Sequence, residues 1–172
     1  MNNFNNNFNI GFNPGSGGRW PSKKIKIKEA INLVNLLEKT KVNNKFIKIH
    51  MLGGKDEKEL IRSIIKGSKN ANIIDTGHNN SLKDFAKIIS LLDLVVSSDS
   101  LALHLSIAQG IKNISFFAPT SAAEIGVFNN GIKIISTSDD YCSYASDVDN
   151  STITADRIFL AISELFEDIS KK

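Results

Sequence analysis

The chain has 172 residues, of which 41% are hydrophobic and 23% are charged, and its formal net charge is +3. This length and composition predict one globular domain with a single buried core. The weak charge argues against a nucleic-acid-binding protein and suits a small anionic ligand. A single cysteine, Cys142, excludes an internal disulfide and fits a reducing compartment.

The first residues carry no secretory signal, because residues 1–8 are rich in asparagine and lack both a basic and an apolar region. No apolar run approaches the ~20 residues needed to span a membrane. We therefore expect a cytoplasmic protein without a transmembrane segment. Residues 1–8 are predicted to be a disordered Asn-rich N-terminus, and residues 9–172 are predicted to form the folded domain.

Short apolar runs alternate with segments of helical periodicity along the whole chain. The runs predict strands at 9–13, 46–52, 73–75, 94–96, 113–117 and 131–135, and the periodic segments predict helices at 27–40, 56–66, 82–92, 101–109 and 154–169. In the last helix the predicted inward face consists of Ile158, Leu160, Ala161, Leu165 and Phe166. This alternation predicts an α/β fold, a Rossmann-like parallel sheet with flanking helices.

A glycine-rich loop, Pro14-Gly15-Ser16-Gly17-Gly18, follows the first predicted strand and precedes Arg19-Trp20-Pro21. Glycines allow a backbone to approach a ligand closely and to adopt positive φ. The loop matches neither the Walker sequence GxxxxGK[ST] nor the dinucleotide-binding sequence GxGxxG. Arg19 favours an anion-binding role because guanidinium pairs well with phosphate, and a plain mobile turn is the alternative.

Acidic residues open the helix that follows the second predicted strand. Asp56, Glu57 and Glu59 lie in its first turn, where the helix dipole favours negative charge. A dipole role is therefore one interpretation of Glu57. The other is that Glu57 holds hydroxyl groups of a ligand, as acidic residues after a strand do for ribose.

The stretch 95–104 joins a buried strand to a helix through Ser97-Ser98-Asp99-Ser100. The free N–H groups of a helix N-terminus carry about half a positive elementary charge and bind anions, especially phosphates. Asp99 lies at the carboxyl end of the strand, where open α/β sheets bind ligands. The alternative is that Asp99 or Ser100 only caps the helix.

The three histidines differ in their surroundings. His50 lies within a predicted strand and His78 lies in a loop, and both are interpreted as structural. His104 lies one helical turn after Ser100 and could therefore face the same ligand.

Five motifs occur in order along the chain. They are Asn13-Pro14-Gly15-Ser16-Gly17-Gly18-Arg19-Trp20-Pro21, Leu52-Gly53-Gly54-Lys55-Asp56-Glu57, Ser98-Asp99-Ser100-Leu101-Ala102-Leu103-His104-Leu105-Ser106-Ile107-Ala108, Phe116-Phe117-Ala118-Pro119-Thr120, and Cys142 ahead of the closing helix. Over residues 10–165 they resemble the C-terminal half of glycosyltransferase family 9, the ADP-heptose:lipopolysaccharide heptosyltransferases and their relatives. The family pattern runs P-G-(A/S)…K-x-W-P, then G-x-x-x-E, then D-(S/T)-G-x-x-H-x-A-x-A, then F-G-P-T.

The chain departs from this pattern at three positions. Gly18 stands where the family has lysine, so Arg19 would be an offset substitute. Leu101 stands where the family has the glycine after D-(S/T), and its bulk would restrict close approach of a donor phosphate. Ala118 replaces the glycine of F-G-P-T. These departures leave open an ADP- or UDP-linked sugar other than heptose.

The resemblance implies a single C-terminal domain of a GT-B glycosyltransferase, in which two Rossmann-like domains face each other across a cleft. This domain would bind a nucleotide-sugar donor such as ADP-heptose, and inverting transfer would need neither a metal nor a cofactor. By resemblance, Ser16 and Gly17 would line the phosphate loop, with Arg19 as its cation. Glu57 would hold the ribose hydroxyls.

The same resemblance assigns roles after the fourth strand. Ser100 and Leu101 would cradle the diphosphate through backbone N–H groups, Asp99 would contact the sugar or orient the loop, and His104 would support this turn. No catalytic residue is expected in the chain, because the base would lie in an N-terminal half. That half would also bind a glycan or lipid-linked acceptor, in lipopolysaccharide or other cell-surface glycan synthesis, compatible with peripheral inner-membrane association.

Two other functions remain open. The first is a non-catalytic sugar-nucleotide-binding or interaction module derived from such an enzyme, which the changes at Gly18 and Leu101 favour. The second is a generic flavodoxin-like or dinucleotide-binding domain, which the absence of GxGxxG disfavours.

Overall fold

The computed structural model describes residues 6–18, 20–69, 72–166 and 169–171. The strands are β1 (Asn7–Asn13), β2 (Thr40–Val42), β3 (Lys45–Met51), β4 (Ile73–Asp75), β5 (Leu94–Ser98), β6 (Lys112–Phe117), β7 (Gly131–Ile135) and β8 (Ile169–Lys171). The α-helices are α1 (Ile27–Glu38), α2 (Lys58–Gly67), α3 (Leu82–Ile89), α4 (Leu101–Ala108) and α5 (Ala155–Leu165). Short 3₁₀ helices cover Pro21–Lys23, Lys55–Glu57 and Ala122–Glu124.

In the described part of the chain, the strands form one eight-stranded sheet in the order β7-β6-β5-β1-β3-β2-β8, with β4 also paired to β3. The six strands β1, β3, β4, β5, β6 and β7 run parallel. Helices connect them, so the predicted α/β, Rossmann-like architecture is confirmed. The carboxyl ends of the parallel strands consequently lie at one edge of the sheet, where α/β folds bind ligands.

Apolar side chains cover both faces of this sheet. Ile10 and Phe12 of β1 point to the larger cluster, which is covered by α1, α2 and α5. Val95 points to the opposite face, where side chains of α3 and α4 cover it. This alternation along central strands, with both faces buried, is typical of a parallel sheet between two helical layers. Among the described helices, none has both the length and the apolar character needed to cross a membrane.

The first strand begins earlier than predicted. β1 starts at Asn7, so the prediction of disorder over residues 1–8 is wrong for Asn7 and Phe8; residues 1–5 lie outside the described residues. Phe8 is buried, and its ring packs edge-on against Phe166 with the ring centroids 4.8 Å apart. Burial of this aromatic side chain extends the pairing of β1 with β3 to Asn7.

The sheet also has an antiparallel edge, which the sequence pattern does not predict. β2 runs antiparallel to β3 as a hairpin, and β8 runs antiparallel to β2. The predicted helix 27–40 therefore ends at Glu38. The predicted helix 154–169 ends at Leu165, and Ile169, the last residue of the predicted range, belongs to β8. Leu160, predicted to face inward, is 59% exposed.

Candidate functional site

A pocket of about 620 Å³ opens at the edge of the sheet where the parallel strands end. Its wall is formed by segments that follow β5, β1, β3 and β4, which are consecutive neighbours in the sheet. Ligands of open α/β sheets bind at this edge. The pocket therefore lies where the topology predicts a functional site.

The glycine-rich loop after β1 is held against the turn that follows β3. Glu57 accepts a hydrogen bond from the N–H of Gly17 at 2.7 Å and one from the N–H of Gly54 at 2.9 Å. Asp56 accepts a hydrogen bond from the N–H of Gly18 at 3.0 Å. Gly17 has a φ of 81°, which glycine adopts without steric cost. Carboxylates of the chain thus already occupy two loop N–H groups that a bound anion would use.

β5 leads into α4 through a polar network that leaves the helix start uncapped. Ser100 is the N-cap residue, but its side chain makes no capping hydrogen bond. Its Oγ instead accepts a hydrogen bond from Asn13 Nδ2 at 3.0 Å and lies 2.7 Å from Ser97 Oγ. Ser98 Oγ donates to the carbonyl of Gly15 at 3.1 Å, which ties this junction to the glycine-rich loop. Because the first N–H groups of a helix lack intrahelical acceptors, the start of α4 offers hydrogen-bond donors and partial positive charge.

Asp99, which immediately precedes this helix, forms a largely buried ion pair. Lys23 Nζ lies 2.7 Å from Asp99 Oδ2 and 3.2 Å from the Asp99 carbonyl oxygen, and the two side chains expose 12% and 16% of their surface. Thr120 Oγ1 donates to the same Oδ2 at 3.0 Å, and His104 Nε2 lies 3.5 Å from Oδ1. Burial raises the pKa of Asp99, but the hydrogen bond and charge of Lys23, together with Thr120 and His104, outweigh it. The pKa of Asp99 is consequently below its ordinary value.

The part of the wall that follows β4 combines apolar and polar groups. Leu82 and Phe85 of α3 line the pocket together with His78 and Asn80. His78 Nε2 lies 3.1 Å from Asp75 Oδ2, and its buried Nδ1 has no hydrogen-bond partner among the described residues. Since an ionised carboxylate only accepts hydrogen bonds, Nε2 is the donor in this contact. Apolar surface beside hydrogen-bonding groups suits a flat, partly polar ring such as a nucleobase.

The structure brings most of the predicted site residues together. The residues that line the pocket are Ser16, Gly17, Glu57, Asp99, Ser100 and Leu101. His104 does not line the pocket and is half-exposed, although its ring faces Asp99. Arg19 lies outside the described residues. The Oγ of Ser16 is buried, and within the described ranges it has no hydrogen-bond partner.

Lys23 and His78 are among the residues of this site that sequence reasoning misses. Lys23 carries no local signal, because lysine is mostly exposed and only a tertiary partner explains its burial. His78 is interpreted above as structural, although its position just after β4 is a signal for the ligand-binding edge. For His50 the structural interpretation agrees with the geometry, since its buried Nε2 lies 3.0 Å from Asn9 Oδ1.

The charged residues around the pocket do not form a metal site. Over the described residues, no group of three or more histidine, cysteine, aspartate or glutamate side chains could hold a metal ion. The charges instead occur as carboxylates bonded to backbone N–H groups or to Lys23.

The sequence matches the family described as glycosyltransferase family 9 (heptosyltransferase) over residues 6–152. The chain belongs to this family. The matched range contains every residue of the pocket wall, from Asn13 to Ala102. None of the curated proteins matches the sequence.

Solved structures of two heptosyltransferases and of another family 9 glycosyltransferase have the same fold as this chain. E. coli heptosyltransferase WaaC with ADP is 21% identical, with a TM-score of 0.72 over 93% of this chain and 45% of WaaC. E. coli ADP-heptose LPS heptosyltransferase II is 18% identical, with a TM-score of 0.72 over 94% of this chain and 47% of that protein. A family 9 glycosyltransferase from Veillonella parvula DSM 2008 is 19% identical, with a TM-score of 0.75 over 92% of this chain and 46% of that protein. The chain thus spans less than half the length of each of these proteins.

Proposed function

We propose that this chain is the domain that binds the nucleotide-sugar donor of a glycosyltransferase, and that the nucleotide is ADP. The observation that carries the proposal is the pocket across four strand ends, with an uncapped helix start in its wall. A helix start of this kind favours phosphate. The family membership and the likeness to a heptosyltransferase described with ADP support the choice of nucleotide.

The order of the strands suggests how the donor lies. β5, β1, β3 and β4 are neighbours, so their ends cover about 14 Å at ~4.8 Å per strand. In our proposal the diphosphate lies at the start of α4, which follows β5, and receives hydrogen bonds from the N–H groups of Leu101 and Ala102. Ser16 Oγ, which is buried without a partner among the described residues, donates to the same phosphates.

The nucleoside then extends toward β3 and β4. Glu57, which follows β3, accepts hydrogen bonds from the ribose hydroxyls through the lone pairs that Gly17 and Gly54 leave free. The base contacts Leu82 and Phe85, whose side chains supply apolar surface. Asp99 contacts the sugar, and Arg19 is an additional phosphate cation.

In our proposal, transfer of the sugar requires a second domain, equivalent to the part of WaaC that this chain does not match. The chain covers 45% of WaaC, and we propose that the complete enzyme has a second domain that binds the acceptor and supplies the base. The proposed reaction is inverting and metal-independent, with a glycan or lipid-linked acceptor of lipopolysaccharide or another cell-surface glycan. The likeness to the E. coli ADP-heptose LPS heptosyltransferase II supports this acceptor class.

A second candidate is a sugar-nucleotide-binding or interaction module without catalytic activity. Leu101, a residue that is 53% exposed at the first position of α4, favours it because a bulky side chain there narrows the approach to the helix start. The two loop N–H groups already bonded to Asp56 and Glu57 favour it for the same reason. Turnover of ADP-heptose separates the candidates, since the complete enzyme releases ADP from it when an acceptor is present, whereas a non-catalytic module releases none.

The direct test is a titration of the purified chain with ADP, UDP and GDP, followed by calorimetry and by NMR shifts of backbone amides. We expect ADP to bind and to shift the amides of Ser16, Glu57 and Leu101. Ser16→Ala should weaken ADP binding about threefold to tenfold, the value of one hydrogen bond. Ser143→Ala, an exposed serine outside the pocket wall, is the matched control. No binding of any nucleotide, or binding that shifts amides elsewhere, would contradict the proposal.

A further inference from the structure

The largely buried pair of Lys23 and Asp99 lies beside the proposed phosphate site, and Lys23 has no role in the proposed function. Lys23 ends the 3₁₀ helix Pro21–Lys23, and it reaches Asp99 across 76 positions of the chain. Its Nζ contacts both Oδ2 and the carbonyl oxygen of Asp99. The amine therefore fixes the main chain of Asp99 as well as its side chain, one residue before the N-cap of α4.

The contacts divide the two carboxylate oxygens of Asp99. Oδ2 receives hydrogen bonds from Lys23 at 2.7 Å and from Thr120 at 3.0 Å. Oδ1 has His104 Nε2 as a neighbour at 3.5 Å, which is too long for a good hydrogen bond. Asp99 also lines the pocket, so Oδ1 is the oxygen available to a ligand. Lys23 and Thr120 together select which oxygen a ligand meets.

The charge of Asp99 needs compensation if an anion is to bind next to it. A carboxylate within a few ångströms of a diphosphate repels it strongly in a partly buried site. The ammonium of Lys23 lies against Oδ2 of Asp99, and Lys23 itself does not line the pocket. It therefore cancels the carboxylate charge without occupying space that the ligand would use.

We propose that Lys23 is a positioning residue for the donor: it neutralises Asp99 and orients the free Oδ1 toward a hydroxyl group of the donor sugar. This inference rests on the proposed function. The diphosphate of the nucleotide then binds at the start of α4, although the carboxylate of Asp99 lies beside this position. Lys23 acts through Asp99 and does not contact the phosphates.

The test compares four proteins, the wild type, Lys23→Met, Asp99→Asn and the double variant, by calorimetry with ADP. Lys23→Met leaves Asp99 without its counter-charge, and we expect ADP to bind roughly tenfold more weakly or worse. Asp99→Asn should bind ADP at least as tightly as the wild type, because the repelling charge is gone. Lys26→Met is the matched control, since Lys26 pairs with Asp149 at 3.6 Å on the surface with both side chains about half-exposed.

The decisive comparison is between Asp99→Asn and the double variant. If Lys23 acts through Asp99, its removal in the Asp99→Asn background costs much less than tenfold in ADP affinity, because only the longer-range attraction between its ammonium and the phosphates is lost. A loss of tenfold or more there would mean that Lys23 binds phosphate directly, and it would overturn the inference. This comparison also remains valid if Lys23→Met alone does not fold, because the double variant contains no uncompensated buried charge.

A pH series gives a readout that a purely structural role would not produce. Asp99 faces two titratable or charged groups, Lys23 and His104, so the series is run in His104→Gln proteins. In Lys23→Met, protonation of Asp99 at acidic pH removes the repulsion, and ADP affinity should rise as pH falls from 7 toward 5. A parallel pH dependence with and without Lys23 would overturn the inference.

The outcomes separate the inference from the function on which it rests. If the wild type binds ADP and all Lys23 and Asp99 variants bind it equally, the inference is wrong and the proposed function stands. If the wild type binds no ADP under any condition tested, both are wrong. ADP-heptose adds the sugar contact: Asp99→Asn should lose the preference for ADP-heptose over ADP while it retains ADP.

Discussion

Replacement of Glu57 tests the link between the glycine-rich loop and the rest of the pocket. Glu57 is 4% exposed, and its carboxylate accepts hydrogen bonds from the N–H groups of Gly17 at 2.7 Å and Gly54 at 2.9 Å. A hydrogen bond to a charged group contributes about 1.5–3 kcal/mol. Water can replace part of this contribution, because both hydrogen bonds are only partly buried. We therefore expect Glu57→Ala to lower the free energy of unfolding by about 2–4 kcal/mol.

Glu57→Gln is the milder change, because the amide oxygen retains one acceptor while the amide nitrogen faces an N–H group. We expect it to cost about 1–2 kcal/mol. Glu59→Gln is the matched control in the adjoining helix α2. Glu59 bonds to Arg62 at 2.9 Å with both side chains exposed, and such a pair contributes at most about 0.5 kcal/mol.

Urea denaturation at pH 7 measures these differences, provided that the slope against urea stays constant across the variants. The expected order of stability is wild type, Glu59→Gln, Glu57→Gln and then Glu57→Ala. If Glu57→Ala unfolds at the same urea concentration as Glu59→Gln, the carboxylate does not hold the loop in solution. The reasoning from these two distances would then be refuted.

The same variants separate the two interpretations of Glu57. If its carboxylate also holds the ribose, the wild type should bind ADP more tightly than 2′-deoxy-ADP, and Glu57→Gln should remove that preference. If Glu57 only holds the loop, both nucleotides should lose affinity by the same factor. An absence of preference in the wild type would contradict the ribose contact while leaving the loop contact intact.

Three other changes have expected outcomes. Burial, with a smaller contribution from the charge of Lys48, lowers the pKa of His50 from 6.5 to about 4. The free energy of unfolding that is fully present above pH 6.5 should therefore fall by about 3 kcal/mol by pH 4. Urea midpoints across this range should decrease less in His50→Gln than in the wild type. Leu101→Gly opens the approach to the start of α4 and should raise ADP affinity several-fold in calorimetry, although the loss of helix propensity lowers stability by about 1 kcal/mol. Gly131→Ala adds a Cβ that would lie 2.7 Å from the backbone oxygen of Asn113 across β6 and β7, so thermal unfolding should reveal a loss of about 1–3 kcal/mol.

The parallel core of the fold is predictable because its signals are local. Each central strand is a short apolar run, and the runs of β1, β3 and β5 are each followed by a segment of helical periodicity, so the apolar runs and this alternation predict β1, β3, β5 and β6. The hairpin of β2 and β3 also has a local signal. Asn43 and Asn44 adopt φ values of 50° and 60°, and asparagine tolerates this conformation in a two-residue hairpin turn. β8 has no such signal, because three residues become a strand only by pairing with β2, more than a hundred positions earlier.

The site divides in the same way. Ser16, Glu57 and Asp99 follow strand ends, and the edge of a parallel sheet brings strand ends together without further information. Lys23 and Thr120 meet Asp99 only through the packing of distant segments. Sequence patterns therefore predict which strand ends form the pocket, but not the partners that set the charge and orientation of its carboxylate.

The hydrogen bonds within the site determine where a ligand can gain binding energy. In the glycine-rich loop, Gly17 and Gly18 already donate to Glu57 and Asp56, so an anion there would only exchange one acceptor for another. At the start of α4 the donors have no capping side chain, and an anion gains their full hydrogen bonds and the helix dipole. We therefore expect binding energy to be concentrated at the junction of β5 and α4, one residue away from Asp99. For this reason, we expect the pairing of Lys23 with Asp99 to influence donor affinity more than the glycine-rich loop does.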